Sequence, residues 1–429
     1  MEDLLYLVHR IPYPPNKGDK IRSYHILKYL SQHFRVHLGC FIDDANDRQY
    51  IHRLKGLCAS TCFIEQSPFK ARLLSLQGLF LGSALSLSYY RNAALQTWIQ
   101  QLLATGKIDR ALVFSGPMAQ YLHPLPAPMY RVIDFVDVDS EKWRQFADTK
   151  AWPLSLLYRR EAQHLLDYEC AVAQQFDCAT FVSSAEAALF KKRALAAPVE
   201  SSRIEFFNNG VDAEFFSPLR LYTNPYPRAS SVVVFTGAMD YWPNIEAVRW
   251  FATAIMPSLL IKFPSLHFFI VGARPTKAVR ALAQLPGVFV TGQVADMRPY
   301  LAHAALAVAP MKIARGIQNK VLEAMAMAKT VIASPQALEG ISARPGSEVL
   351  LAVNEAEFIS VLTRLLPSIG NKKADRSIGQ AARKRVLQDY CWDKNLARLG
   401  TLLGLPEPER TGSHKPAENA GSPAPEHKT

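Results

Sequence analysis

The run Ala309–Met327, Ala-Pro-Met-Lys-Ile-Ala-Arg-Gly-Ile-Gln-Asn-Lys-Val-Leu-Glu-Ala-Met-Ala-Met, combines residue types suited to holding an anion. A basic loop with one glycine (Lys312, Arg315, Gly316) leads through Gln318 to Asn319, a good N-cap, and then into strong helix formers. Free backbone N–H groups and the positive end of the helix dipole would face a phosphate there, with Lys312, Arg315 or Lys320 adding full charges. Glu323 falls one turn after Asn319 on the same face. Its carboxylate would repel phosphate but can accept hydrogen bonds from sugar or ribose hydroxyls. The plainer alternative is a basic loop capping an amphipathic helix whose Ala324, Met325 and Met327 are core.

Other chemistry-bearing residues cluster where apolar runs end. After Leu4–Val8 come three prolines and Lys17-Gly18-Asp19-Lys20-Ile21-Arg22, a glycine turn into a basic helix start and a second candidate phosphate contact. Ala111–Phe114 ends in Ser115-Gly116-Pro117, and Tyr130–Phe135 leads through Asp134 to Asp137-Val138-Asp139-Ser140-Glu141-Lys142. A carboxylate at Asp134, Asp137 or Asp139 suits the orienting of an acceptor hydroxyl, and equally the capping of the next helix. Val232–Phe235 ends in Thr236-Gly237-Ala238-Met239-Asp240, and Asn244 follows at a helix start.

These tips need a scaffold, and the pattern supplies one. Apolar strands alternate with helices twice: Leu4–Val8, Phe34–Phe41, Ala111–Phe114, Tyr130–Phe135 and Ala179–Val182, then Val232–Phe235, Phe268–Val271, Val288–Val290 and Leu306–Ala309. The fold class is α/β, with two doubly wound parallel sheets whose ligands bind beyond the carboxyl ends of the strands. Gly210, in Asn208-Asn209-Gly210-Val211-Asp212, suits a positive-φ turn between the halves. Pro68–Leu103 differs, mixing a broad apolar surface with Lys70, Arg72 and Arg91. It fits either a segment lying in a membrane interface or an internal helix pair on the sheet.

Composition bounds the partners. The chain has 429 residues and a net charge of +12. Residues 405–429 carry three basic and four acidic groups, so the body carries about +13. Phosphorylated ligands and an anionic membrane surface are the favoured company, because no nucleic-acid motif accompanies the charge. The six cysteines are scattered without zinc spacing and read as free thiols in a reducing cytoplasm, and no signal peptide or spanning segment is expected.

Gly316 and Glu323-Ala324-Met325-Ala326 resemble the donor signature of GT-B glycosyltransferases of family 4, in which two glutamates stand eight positions apart. Arg315 takes the place of the first. Arg-Gly-Ile-Gln-Asn-Lys-Val-Leu-Glu, like Asp-Val-Asp-Ser-Glu-Lys-Trp, resembles more narrowly the sugar transferases of PEP-CTERM/exosortase exopolysaccharide systems. Asn-Gly-Val-Asp with Phe215 and Pro218 resembles the family's interdomain hinge. The resemblance implies an N-terminal acceptor-side domain (1–215), a linker (216–230), a nucleotide-sugar domain (231–390), a helix crossing back to the first domain (391–404) and a disordered tail (405–429). It further implies a retaining transferase that moves a sugar from a nucleotide diphosphate sugar to a polysaccharide or lipid-linked glycan, at the inner membrane face or in the cytoplasm.

In that reading Gly18, Gly237, Asn244, Lys312, Gly316, Gln318, Asn319 and Glu323 hold the donor, and Glu323 takes its ribose. Arg315 and Lys320, with Asp137 and Asp139, are the catalytic candidates. Lys17, Arg22, Ser115, Asp134 and Lys142 face the acceptor. Asp137-Val138-Asp139 also resembles the metal motif of the other large glycosyltransferase fold. The GT-B loop instead neutralises the diphosphate with helix dipoles and cations, so neither a metal nor another cofactor is expected. No histidine stands at the Ala111–Phe114 or Tyr130–Phe135 tip, where family 4 often has one. Two other activities stay open: a nucleotide-sugar epimerase of the same fold, and a non-catalytic nucleotide-sugar or glycan binder.

Overall fold

The computed structural model describes residues 1–15, 17–75, 78, 82–123, 129–149, 151–194, 200, 203–228, 230–314, 316–368 and 374–406. Arg315 and nearly all of the tail lie outside these. The first sheet holds β1 (Asp3–Val8), β2 (Arg35–Ile42), β3 (Ser60–Glu65), β4 (Ile108–Phe114), β5 (Tyr130–Val136), β6 (Cys178–Phe181) and β7 (Ile204–Phe206) in the order β3-β2-β1-β4-β5-β6-β7. The second holds β8 (Ser231–Thr236), β9 (Leu266–Val271), β10 (Val288–Gly292), β11 (Leu306–Ala309), β12 (Val331–Ala333) and β13 (Leu350–Leu351) in the order β10-β9-β8-β11-β12-β13. All pairings are parallel. The central strands are apolar throughout, as burial on both faces requires; Leu4 to Val8 are all fully buried.

Each order reverses once, between β1 and β4 and between β8 and β11, opening a crevice at the carboxyl ends of those strands. The helices that frame these crevices are α1 (Gly18–His33), α2 (Pro68–Ser75), α3 (Leu85–Tyr89), α4 (Ala93–Leu103), α5 (Asp139–Thr149), α6 (Leu154–Gln175), α7 (Trp242–Trp250), α8 (Asn319–Ala326) and α9 (Trp392–Leu402). Between Pro68 and Leu103, Ala84, Leu87, Leu95 and Ile99 are buried, whereas Phe69 and Leu73 on α2 stay exposed. Leu79, Phe80 and Leu81 of that stretch lie outside the described residues.

Helix α9 returns to the first sheet, with Trp392, Leu396 and Leu399 in the core beneath α1. Its start explains Gly210. That glycine is not among those with positive φ, contrary to the turn expected of it. A Cβ at this position would lie 2.6 Å from the Trp392 ring and 2.7 Å from its backbone nitrogen, so glycine is required for space. Gly210→Ala is therefore expected to cost about 1–3 kcal/mol by overpacking, measured as a lower urea midpoint at unchanged slope.

Arg22 corrects a second expectation. It is fully buried and forks onto Asp134, Nε to Oδ2 at 2.8 Å and Nη2 to Oδ1 at 3.1 Å. Its Nη1 donates to the Phe207 carbonyl at 3.1 Å and to Asn209 Oδ1 at 2.9 Å. Thr180 Oγ1 donates to Asp134 Oδ1 at 3.2 Å. Neither Arg22 nor Asp134 can reach an acceptor: together they clamp α1 and β5 to the interdomain connection. Lys20 is likewise withdrawn, buried on Asp47 at 2.5 Å.

Candidate functional site

The crevice of the second sheet gathers the residues around Gly316. Gly237, after β8, has φ 156°, and a Cβ there would meet Asn244 Nδ2 at 2.8 Å and Lys320 Cε at 3.4 Å. Its neighbour Gly272 faces the Gly237 carbonyl at a distance no side chain could occupy. Asn244 is buried, donates from Nδ2 to the Ala238 carbonyl at 2.9 Å, and keeps Oδ1 buried without a partner in the structure. Lys320 Nζ donates to Gln318 Oε1 at 2.9 Å, and Gln318 Nε2 to the Gly316 carbonyl at 3.2 Å. A lysine, a side-chain amide and a glycine-bordered backbone thus converge where the strand order reverses.

Two details differ from the sequence reading. Helix α8 starts at Asn319, so Gln318 holds the cap position, and no side chain caps the helix. Asn319 looks across the cleft instead: its Oδ1 accepts from Asn209 Nδ2 at 3.4 Å, and its Nδ2 lies 3.8 Å from where a Cβ of Gly18 would sit. Lys312 is drawn off the expected phosphate position, its Nζ standing over the Trp250 ring at 4.7 Å. It lines a cavity of about 470 Å³ with Gln145 and Asp148 of α5, Ala314 and Gln336.

The first domain meets this loop through Asp137. Gly316 has φ 63°, and a Cβ there would collide with Asp137 Oδ1, which is buried and has no hydrogen-bond partner among the described residues. Burial pushes the Asp137 carboxyl up to about 6; Lys142 opposes this and Asp139 adds to it. Lys142 sits 3.7 Å from Asp139, whose charge, with those of Asp137, Tyr241 and Asp19, holds the ammonium above its ordinary value despite burial. Tyr241 belongs to the second domain, so Lys142 lies within electrostatic reach of both walls.

A carboxyl raised by folding favours the folded state more as pH falls from about 6 towards 3.8, its ordinary value. Asp137→Asn is accordingly expected to raise the melting temperature at neutral pH, flatten its pH dependence over that window, and lower turnover. A parallel loss of stability and turnover would contradict this.

Strained backbone gathers at the same tips. Ser115 after β4 (φ 78°), Val136 at the end of β5 (φ 71°) and Arg274 after β9 (φ 54°) are three of the four non-glycine residues with positive φ among the described residues. Such conformations cost about 1–3 kcal/mol each and concentrate at functional sites.

Two groups here carried no role in the sequence reading. His9 follows β1 directly; its Nε2 is 3.3 Å from Asp19 Oδ2 and its ring stacks on Phe114 with centroids 5.7 Å apart. Arg10 joins Asp19 at 2.5 Å to Asp43 at 2.8 Å. Burial opposes ionisation of Asp19, but the His9 hydrogen bond and Arg10 outweigh it and hold the carboxyl well below the usual range. Arg274 pairs with Asp240 at 2.9 Å. Burial lowers the ammonium of Lys17 first, and the charges of Arg10 and Arg274 lower it further, which places cations from both domains at the cleft. A polar residue directly after a strand's last apolar residue was the available signal for His9.

Residues 230–368 match the family described as Glycosyl transferases group 1. No curated protein matches the chain. Sucrose-phosphate synthase from Thermosynechococcus elongatus superposes with a TM-score of 0.69 at 16% identity, covering 94% of this chain and 98% of that one. Anabaena HepE in complex with UDP and glucose gives 0.66 at 15%, covering 94% and 100%. WaaG, a glycosyltransferase involved in lipopolysaccharide biosynthesis, gives 0.62 at 15%, covering 94% and 100%. At such identities the likeness is one of fold. The chain has the GT-B fold with a Glycosyl transferases group 1 domain in its second half, and this combination supports a glycosyltransferase.

Proposed function

We propose that the protein transfers a sugar, with retention of configuration and without a metal, from a nucleotide diphosphate sugar to a polysaccharide or lipid-linked glycan acceptor in exopolysaccharide biosynthesis. The observation that carries this is Lys320, set against Gly237 and tied to Gln318 in the crevice between β8 and β11. Its ammonium and the start of α8 stabilise the charge that develops on the departing diphosphate. Glu323 accepts from the ribose, and Asp137 receives the acceptor hydroxyl. The bond from the anomeric carbon to the diphosphate breaks, a bond from the acceptor oxygen forms, and Asp137, ionised above about pH 6, takes the acceptor's proton. The fold relative HepE has been crystallised with UDP and with UDP-glucose, which supports a uridine donor as the first to test.

The test is thermal unfolding with UDP, GDP, ADP, TDP and CMP, with and without magnesium, for the wild type and Glu323→Ala. A ligand at about 100 times its dissociation constant adds roughly 2.7 kcal/mol. One diphosphate is expected to stabilise the wild type without magnesium, and the variant much less. No shift with any nucleotide would sink the donor reading, and free sugar released from the donor without an acceptor would favour an epimerase.

A further inference from the structure

The strongest feature outside the cleft is the hairpin of α5 and α6. Helix α5 starts at the cleft with Asp139 and runs 11 residues outward, about 16 Å at 1.5 Å per residue. Ser140 at its base bonds Glu169 on α6, its Oγ donating at 2.6 Å, while Arg159 near the far end reaches Asp148 at 3.9 Å. The two helices are therefore antiparallel. The turn between them is apolar: Trp152 is 80% exposed, Leu154 48% and Leu156 64%. A groove of about 610 Å³ lined by Pro153, Leu156, Leu157, Arg159 and Arg160 runs beside it.

The sequence around it is rich in cations, although Arg159 pairs with Asp148 and Glu161 follows Arg160. From Thr149 to Arg160 the sequence has three basic residues and no acidic one, and from Gln66 to Ile108 it has four basic residues and no acidic one. The two stretches are joined: Arg160 donates to the Gly78 and Ser83 carbonyls at 3.0 and 3.3 Å, and Glu161 accepts from Leu85 and Ser86 N–H at 2.7 and 3.0 Å. Phe69 and Leu73, the exposed apolar pair on α2, belong to this acid-free stretch. Among the described residues no helix is long and apolar enough to cross a membrane.

We infer that the α5–α6 turn docks the protein on an anionic lipid bilayer. Trp152, Leu154 and Leu156 enter the headgroup boundary, and Arg159 and the neighbouring cations meet lipid phosphates. The inference deepens the reading of a lipid-linked acceptor and rests on it for its purpose. Docking would hold the membrane about 16 Å from Asp139.

The experiment is co-sedimentation of the full chain with vesicles of phosphatidylcholine alone or mixed with phosphatidylglycerol, at low and high salt. The probe variants are Trp152→Ser/Leu156→Ser and, separately, Arg159→Gln. The wild type is expected to bind the mixed vesicles and to be released by salt. The double variant should lose about tenfold or more in partitioning, and Arg159→Gln less. Equal binding by the double variant, or no binding by the wild type, overturns the inference. So does a wild-type dimer that the double variant dissociates, since a second copy would then own the surface. Stabilisation by nucleotide, measured in parallel, keeps the two readings apart: vesicle binding without nucleotide binding refutes the donor site alone, and the reverse refutes the dock alone.

Discussion

Lys320→Met is expected to cut turnover by about 10²–10³-fold while leaving the melting temperature unchanged or higher. The two effects have one origin. Burial pulls the Lys320 ammonium down to about 8, with Glu323 partly compensating, and pushes the Glu323 carboxyl up to about 7, with Lys320 partly compensating. An ammonium whose value falls on folding costs the empty protein stability at neutral pH, and the cost fades as pH rises from about 8 towards 10.5. Removing the amine removes that cost.

A diphosphate reverses the sign, because its charge favours the ammonium and the protonated carboxyl. Binding then takes up protons, and affinity for UDP should fall as pH rises through about 8. In Lys320→Arg the guanidinium stays charged, and that fall should flatten. Calorimetric titration across this range checks the slope. Wild-type turnover in Lys320→Met, or a UDP affinity that ignores pH in the wild type, would remove Lys320 from the mechanism.

What the sequence displayed, and what it hid, follows from the range of the interactions. Gly237 could be singled out because it stands directly after an apolar strand's end, where a parallel sheet opens its crevice, and Gly316, Gln318, Lys320 and Glu323 because they lie in one basic, glycine-containing loop and the strong helix formers that follow it. The central strands were equally plain, since burial on both faces leaves continuous apolar runs. Strand β12 and the edge strand β13, of three and two residues, carry too little pattern to read. Partners far apart in the chain were invisible. Arg22 looks like a cation offered to a ligand until Asp134, 112 residues away, occupies it. Asn319 looks like a cap until Asn209 takes its oxygen across the cleft. Gly210 was read as suiting a positive-φ turn, which it does not make; what requires glycine there is Trp392, pressed against it from the far end of the chain.

Arg22→Met is expected to destabilise the protein by about 3–5 kcal/mol, because it strands the Asp134 carboxylate in the core with only the Thr180 hydroxyl and the Val136 N–H to donate to it. The loss reports an uncompensated charge and not the net worth of the pair. Arg22→Met/Asp134→Leu should therefore recover most of it, since apolar groups of similar size often replace a buried pair at little cost. Asn209 would still lack a donor to its Oδ1, so some loss should remain, roughly the 1–3 kcal/mol of one unsatisfied buried group. Urea unfolding of the two singles and the double closes the cycle. A double variant as unstable as the sum of the singles would mean that Arg22 serves the fold through Phe207 and Asn209 rather than through Asp134. The same variants separate the clamp from the chemistry. UDP affinity and the acceptor KM of the folded fraction should stay within about threefold of wild type, because neither side chain reaches the cleft. A selective rise in acceptor KM would return Arg22 to the acceptor site from which its burial now removes it.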